Sequence, residues 1–440
     1  MASRGPIAWF AWLVVLLAAP ALSEAPRFAL VPLGDLGGGE SRAAGLNEND
    51  WVVGESETSA GHVEAFLWRP EQGMISLGTL GGPVSRALDI NRHGVVVGES
   101  TDSHGITRAF QWTESDGMTA LPTPEGAWHS AALAVNDLGQ IVGTLDHGEG
   151  VHAVRWEEGR MRRLHRLPGA GPVQPLDVNE RGDVVGHIVI GVDDTSASHA
   201  FYFREGLKAR HLAEFRMVSA LSGSAAVAVN EPGWAAGYVM LDSSRVRAFR
   251  YRPDQGLEVL EDGDALYATA TDLNDDGWVT GSYIASYAAD ESACFWINGE
   301  WHDANHVTDF SGDWWLIQIA GINNRRHMAG YGTLYERNQA FLLRPAESSV
   351  ASAPARLALR VSEEIDRADD VRVVVLVAEA DTGITLHRVT FFAGDDVLGS
   401  VDRAPFEWGW EGPVGDVVTF YAEGVTRDGQ RLRSPRVTTH

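Results

Sequence analysis

Ser85-Arg86-Ala87-Leu88-Asp89-Ile90-Asn91-Arg92-His93-Gly94-Val95-Val96-Val97-Gly98 decides the fold of this 440-residue chain, because its pattern Asn-x-x-Gly-x-x-x-Gly returns along most of the sequence. The asparagines are Asn47, Asn91, Asn136, Asn179, Asn230, Asn274 and Asn323, spaced 44, 45, 43, 51, 44 and 49 residues apart. The second glycine is present in every copy, as Gly54, Gly98, Gly143, Gly186, Gly237, Gly281 and Gly330. The first is Gly94, Gly139, Gly182, Gly233 and Gly277, but Asp50 and Arg326 replace it in the first and last copies. Asparagine opens a turn through its side chain, and glycine accepts the left-handed backbone of a three-residue hairpin with a bulge. Arg326 fits that backbone poorly, so the last hairpin is expected to differ locally.

Ten to fourteen residues beyond the second glycine comes an Ala-Phe-x-Trp-like tetrad, as in Ala65-Phe66-Leu67-Trp68 and Ala109-Phe110-Gln111-Trp112. A short turn and a further apolar run follow, such as Met74–Leu80. Each copy therefore holds four short strands: a ends at the asparagine, b carries the Val-Val-Gly, c is the tetrad and d the last run. Four strands in about 45 residues is the period of a propeller blade. Small residues four before the asparagine (Ala43, Ala87, Ala132, Ala226, Ala270, with Pro175 and Ile319 as exceptions) suit inner strands crowding an axis. The chain starts with an isolated strand d, Phe28–Gly34, and its seventh copy stops after strand c at Leu343. Joining the two would close the ring and remove its exposed edges. The expected fold is all-β: a seven-bladed β-propeller over residues 27–345, closed by its N-terminal strand.

The period and the tetrads, with His199-Ala200-Phe201 among them, resemble the bacterial extracellular HAF-repeat family over about Phe28–Leu343. The most specific stretch is Leu77-Gly78-Thr79-Leu80-Gly81-Gly82 followed by Ser85-x-Ala87 and Ile90-Asn91. The resemblance implies export and transfers no catalytic residue. Residues 346–355 read as a Pro- and Ser-bearing linker. Beyond it, the alternating run Phe406-x-Trp408-x-Trp410 and the stretch Val389-x-Phe391-Phe392-Ala393-Gly394-Asp395 resemble bacterial immunoglobulin-like modules. That resemblance implies a C-terminal Ig-like β-sandwich over 356–440.

Met1–Ser23 has a positive start at Arg4, an apolar run over Ile7–Ala19 and small residues at Ala21-Leu22-Ser23, the layout of a secretory signal peptide. A secreted chain, extracellular or periplasmic, with no membrane insertion after signal cleavage, is expected. The formal charge of −25 repels phosphates and anionic membranes, which excludes nucleic acid as a partner. Cys294, the single cysteine, takes a phenylalanine place in its tetrad and reads as a buried, inert thiol.

Chemistry is sparse. Asp272-x-Asn274-x-Asp276-Gly277 opens like a calcium loop, but the twelfth position is Tyr283 and the stretch is the a–b hairpin of the sixth copy. His302 and His306 have zinc-like spacing without a third ligand. No nucleophile elbow, phosphate loop or zinc-protease motif is present, and neither metal nor cofactor is expected. The tetrad aromatics recur in every copy and read as packing.

What differs between copies is the b–c and d–a connections, which share one end of the ring when strand a is innermost. Varied loops on a rigid scaffold are where ligands bind. The candidate ligand-binding residues there are Trp128, His129, Asp264, Tyr267, Asp313, Trp314 and Trp315. Trp314 and Trp315 alternate, so at most one of them faces a ligand. The expected function is non-enzymatic recognition of an extracellular glycan or protein by a monomer. The alternatives are a polysaccharide hydrolase or lyase using Asp264 and Asp313, and a structural envelope or matrix component.

Overall fold

The structure, a computed structural model, describes residues 26–346 apart from 149, 165–170, 191–196, 205–209, 213–222, 242–243, 262–264, 288 and 311–312. It also describes residues 357–439 apart from 367–370, 381–385, 395, 402–405, 414–417, 427–430 and 435–436. The expected signal peptide, almost all of the linker, and Asp264 lie outside the described residues. The chain divides into two compact bodies, Met1–Ala346 and Glu347–His440.

Among its described residues the first body is all-β apart from one short helix, Ala304–Val307, capped by the Asp303 side chain. The second repeat shows the plan: Gly81–Ile90, Val96–Asp102, Thr107–Thr113 and Gly117–Ala120 pair antiparallel in the order a-b-c-d. Strand d is shorter than the apolar run that marks it, yet the Leu77 N–H of the first repeat still donates to the Ala65 carbonyl at 2.9 Å. In the seventh repeat Trp314–Ile322, Met328–Leu334 and Arg337–Pro345 take the a, b and c places. Its fourth strand is the N-terminal Phe28–Gly34, which pairs antiparallel with Arg337–Pro345, Leu30 opposite Leu343.

The hairpin chemistry is local. Asn91 Oδ1 accepts from the N–H groups of His93 and Val95, both at 3.0 Å, and fastens the a–b turn. Its Nδ2 reaches out of the repeat to the carbonyl of Asn136 at 3.0 Å. The same bond runs from Asn47 to Asn91, Asn136 to Asn179, Asn179 to Asn230, Asn230 to Asn274 and Asn274 to Asn323. Asn323 then donates to the carbonyl of Asn47, so the series closes on itself. All seven asparagines are buried, so each bond satisfies groups that have no water to turn to.

The second glycine answers a close approach. A Cβ on Gly98 would lie 2.0 Å from the Arg86 carbonyl oxygen, where the inner strand bulges between Ala87 and Asp89. Any side chain there would push strand b away from strand a. The residue four before the asparagine is buried in every repeat, Pro175 and Ile319 included. The tetrad side chains Phe66, Phe110, Phe249 and Phe341 are fully buried and join clusters shared between neighbouring repeats. Cys294 occupies such a place and is buried too. Serines stitch the same boundaries: Ser85 Oγ accepts from Ala65 N–H at 2.8 Å and donates to the Gly78 carbonyl at 2.6 Å.

The last hairpin corrects one expectation. Arg326 holds a φ of 65° and Asp50 a φ of 61°, and both turns keep the N–H bond back to their asparagine. Left-handed backbone costs a non-glycine residue roughly 1–2 kcal/mol, and here both side chains find compensating partners. Asp50 is buried and pairs with Arg325, His327 and Arg344, all from the seventh repeat. The Arg326 guanidinium lies 5.0 Å over the Trp278 ring and pairs with Asp276 at 3.1 Å.

The described strands of the second body form two antiparallel sheets around one core. One sheet orders Leu357–Asp366, Val371–Ala380 and Phe406–Pro413; the other is built on Leu386–Ala393 and Val418–Thr426. Leu376, Val389, Phe391 and Phe420 are fully buried between them. Phe406 is buried and Trp408 and Trp410 pack against the same core, which explains their alternation.

Candidate functional site

Because strand a runs into the asparagine turns, the b–c and d–a connections gather at the other end of the strands. That end carries most of the exposed aromatic surface among the described residues. Trp128 is 74% exposed, Tyr287 79% and Tyr335 70%, on the third, sixth and seventh repeats. Two open grooves lie beside the two tyrosines. One, of about 380 Å³, is lined by Arg245, Arg247, Ala265, Leu266, Ala285, Ser286 and Tyr287. The other, of about 590 Å³, is lined by Asp313, Thr333, Tyr335 and Glu336.

The second groove is set by strand register. Trp314 pairs with Leu334 and Trp315 with Thr333, so Asp313 stands one step beyond, level with Tyr335. Tyr335 and Glu336 form the two-residue b–c turn, with φ of 52° and 64°. A turn with both residues left-handed ordinarily takes Asn-Gly or Asp-Gly. Here it presents a ring and a carboxylate to solvent instead.

The residues expected from sequence separate into distinct roles. Trp128 is a solvent-facing indole whose backbone N–H is anchored to the Asp146 carbonyl at 2.9 Å. Asp313 is exposed in the groove. Trp314 is a correction: it is buried in the core with its ring edge-on to Phe341 at 6.2 Å, so it packs the seventh repeat and faces no ligand. Trp315 is half-buried and spends its indole N–H on the Glu291 carbonyl at 2.9 Å, tying the seventh repeat to the sixth. Tyr267 is half-buried at the start of its inner strand.

His129 belongs to a chain of charges across the first three repeats. Glu55 pairs with Arg86 at 2.6 Å, Arg86 with Glu99 at 3.3 Å, and Glu99 with His129 at 3.6 Å. Hydrogen bonding to Glu99 raises the His129 pKa against the effect of burial. The bond from His129 in turn lowers that of Glu99.

Sequence reasoning missed Tyr335 and Glu336, although one signal was available: an aromatic and an acid where a tight hairpin wants Asn-Gly. Tyr287, in the b–c connection of the sixth repeat, was not among the candidates either. The side chains of the two metal-like motifs have other partners. Asp272 accepts from Leu273 and Ile322 N–H groups, Asn274 donates to Asn323, and Asp276 pairs with Arg326, so the three point apart. His302 stacks on Phe295 and His306 meets Asp303. Among the described residues no three His, Cys, Asp or Glu side chains converge as metal ligands, and no helix is long and apolar enough to cross a membrane.

No protein-family model and no curated protein matches the chain. Among solved structures it is similar to the extracellular domain of the putative hybrid two component system BT4673 from B. thetaiotaomicron, at 9% identity and a TM-score of 0.39. The alignment covers 92% of this chain and 59% of that one, so this chain spans less than two thirds of its length. TolB from Acinetobacter baumannii aligns at 8% identity and a TM-score of 0.37, covering 65% of this chain and 76% of that one. AofleA from Arthrobotrys oligospora aligns at 11% identity and a TM-score of 0.35, covering 63% and 86%. These likenesses are too distant to carry a conclusion about fold or activity, which rest on the geometry above.

Proposed function

We propose that the chain is a secreted, non-enzymatic binding protein of the HAF-repeat type that recognises a glycan through its variable-loop end. In this reading the first body is a seven-bladed β-propeller closed by Phe28–Gly34, and the second is an immunoglobulin-like sandwich. The observation that carries the function is the groove of Asp313, Thr333, Tyr335 and Glu336. An exposed aromatic ring flanked by carboxylates and a hydroxyl offers a sugar an apolar face to stack on and acceptors for its hydroxyl groups. Trp128 supplies a second exposed ring at the same end.

The test is a glycan array probed with the mature chain, followed by titration of the best ligand. Tyr335→Ala and Asp313→Ala are each expected to weaken binding about tenfold or more, roughly 1.4 kcal/mol, with the unfolding midpoint unchanged. Undiminished binding by both variants, or binding to no glycan, overturns the reading.

A further inference from the structure

The described residues that line the two grooves carry opposite charge. Asp313 and Glu336 are the charged residues of one, Arg245 and Arg247 those of the other. A chain with 60 acidic and 35 basic residues thus lines a cavity of about 380 Å³ with two bases.

Three segments build that cavity: the start of strand c in the fifth repeat, the d–a connection at Ala265 and Leu266, and the b–c connection of the sixth repeat at Ser286 and Tyr287. Backbone bonds tie them together. Val246 N–H donates to the Leu266 carbonyl at 3.3 Å, and Leu266 N–H to the Ile284 carbonyl at 2.8 Å. Arg245 and Arg247 flank the buried Val246, so strand alternation sends both to the other side. Arg247 Nη1 donates to the Val246 and Leu266 carbonyls at 3.1 and 3.3 Å, which holds the guanidinium against the connection.

The second repeat has the same turn with different charges. Asp102 N–H donates to the Ile106 carbonyl at 2.9 Å, and Leu241 N–H to the Arg245 carbonyl at 2.9 Å. Asp102, Ile106 and Arg108 therefore correspond to Leu241, Arg245 and Arg247. Arg108 donates to the Ala127 carbonyl of its d–a connection at 3.0 Å and pairs with Asp102 at 3.3 Å. The fifth repeat keeps the carbonyl anchor, puts leucine in the place of that acid and adds Arg245. Over these seven residues the second repeat carries one acid and one arginine, the fifth one acid, Asp242, and two arginines. Bracing the connection accounts for Arg247, as it does for Arg108. It gives no reason for a second arginine in the groove.

We propose that this groove is a second binding site, which takes an acidic saccharide with its carboxylate or sulfate group on Arg245 and Arg247. A guanidinium presents paired N–H donors that match two oxygens of such a group. The exposed Tyr287 ring offers the sugar face a stacking surface, and the Ser286 hydroxyl can donate to or accept from its hydroxyl groups. Ala265 and Leu266 supply an apolar side. The net charge of −25 repels an anion at long range, so affinity for an acid has to come from these arginines at contact. The site is separate from the groove of Asp313 and Tyr335 and does not depend on binding there.

The experiment is calorimetric titration of the full mature chain with trigalacturonate, its methyl ester, sulfated lactose and lactose. At least one acid is expected to bind, with its neutral counterpart about tenfold weaker or more. Binding of trigalacturonate assigns a carboxylate, and binding of sulfated lactose a sulfate. Affinity is expected to fall as sodium chloride is raised. Arg245→Gln and Tyr287→Ala change exposed side chains and should leave the unfolding midpoint in place. Each is expected to weaken binding of the acid about tenfold, while Tyr335→Ala leaves it unchanged. Neither acid binding at millimolar concentration, or neutral counterparts binding as tightly, overturns the proposal. So does binding of the acid that survives both Arg245→Gln and Tyr287→Ala; its loss in Tyr335→Ala instead would move the ligand to the other groove.

Discussion

The side chain of Asn323 donates to the backbone carbonyl of Asn47 at 3.2 Å across 276 residues of chain, making the same bond that links every other neighbouring pair of repeats. Its Oδ1 meanwhile accepts from Arg325 and His327 N–H groups in its own turn. One side chain therefore both shapes a hairpin and closes the ring.

An Asn323→Asp substitution separates those two jobs, since the carboxylate keeps the acceptor and loses the donor. The buried Asn47 carbonyl then keeps only its bond from Asp50 N–H and faces a carboxylate oxygen instead of a donor, which costs about 1–3 kcal/mol. Urea unfolding is the measurement, and Asn136→Asp, away from the seam, is expected to cost a similar amount.

Asp50→Asn tests the seam's charges. Burial works to raise the Asp50 pKa, but the hydrogen bond and charge of His327, with Arg325 and Arg344, hold it below its ordinary value. Stability from such a group is present above the unfolded pKa and is lost as pH falls through the folded one. The variant is expected to lose about 3 kcal/mol at pH 7 and to unfold less steeply on acidification below pH ~4. A chain whose acid limb is unchanged by the substitution would remove Asp50 from the seam's energetics.

Phe28→Ala probes the closing strand. Phe28 is fully buried, with its ring edge-on to Phe295 at 5.5 Å. Truncating a buried phenylalanine costs about 3–5 kcal/mol. The loss should appear as a lower unfolding midpoint and earlier proteolysis of the first body.

Replacing Tyr335-Glu336 by Asn-Gly sets stability against binding. Both residues hold left-handed φ values, and relieving them is expected to raise stability by about 1–2 kcal/mol. The same change removes the exposed ring and the carboxylate, so glycan affinity should fall. Higher thermal stability with undiminished binding would leave the turn without a role in recognition.

The repeat, its hairpins and the closing strand were legible because their chemistry is local. Asparagine, glycine and the Ala-Phe-x-Trp tetrad each do one thing wherever they occur, and seven occurrences average out the noise. The exceptions were harder to read: Asp50 and Arg326 break the glycine rule because their partners, Arg344 and Trp278, belong to other repeats. At the loop end, Trp128 and Asp313 stood out beside long connections. Tyr335 did not, since a two-residue turn is too short to register as a variable loop. Trp314 was misread because strand alternation leaves two phases open, and only packing against Phe341 chooses between them. The aspartates two residues before the repeat asparagine, Asp89, Asp177 and Asp272, each accept one N–H in their own strand and one in the next repeat, and they fell between categories. They recur in every second copy, so they looked neither like scaffold common to all nor like a feature of one.

That alternation also governs how such a chain can change length. Losing the first repeat, or gaining an aspartate-bearing repeat ahead of it, would cap every copy, whereas any other single change would set two aspartates side by side or leave a second amide uncapped. The first repeat is thus the one copy whose loss would leave every remaining amide capped.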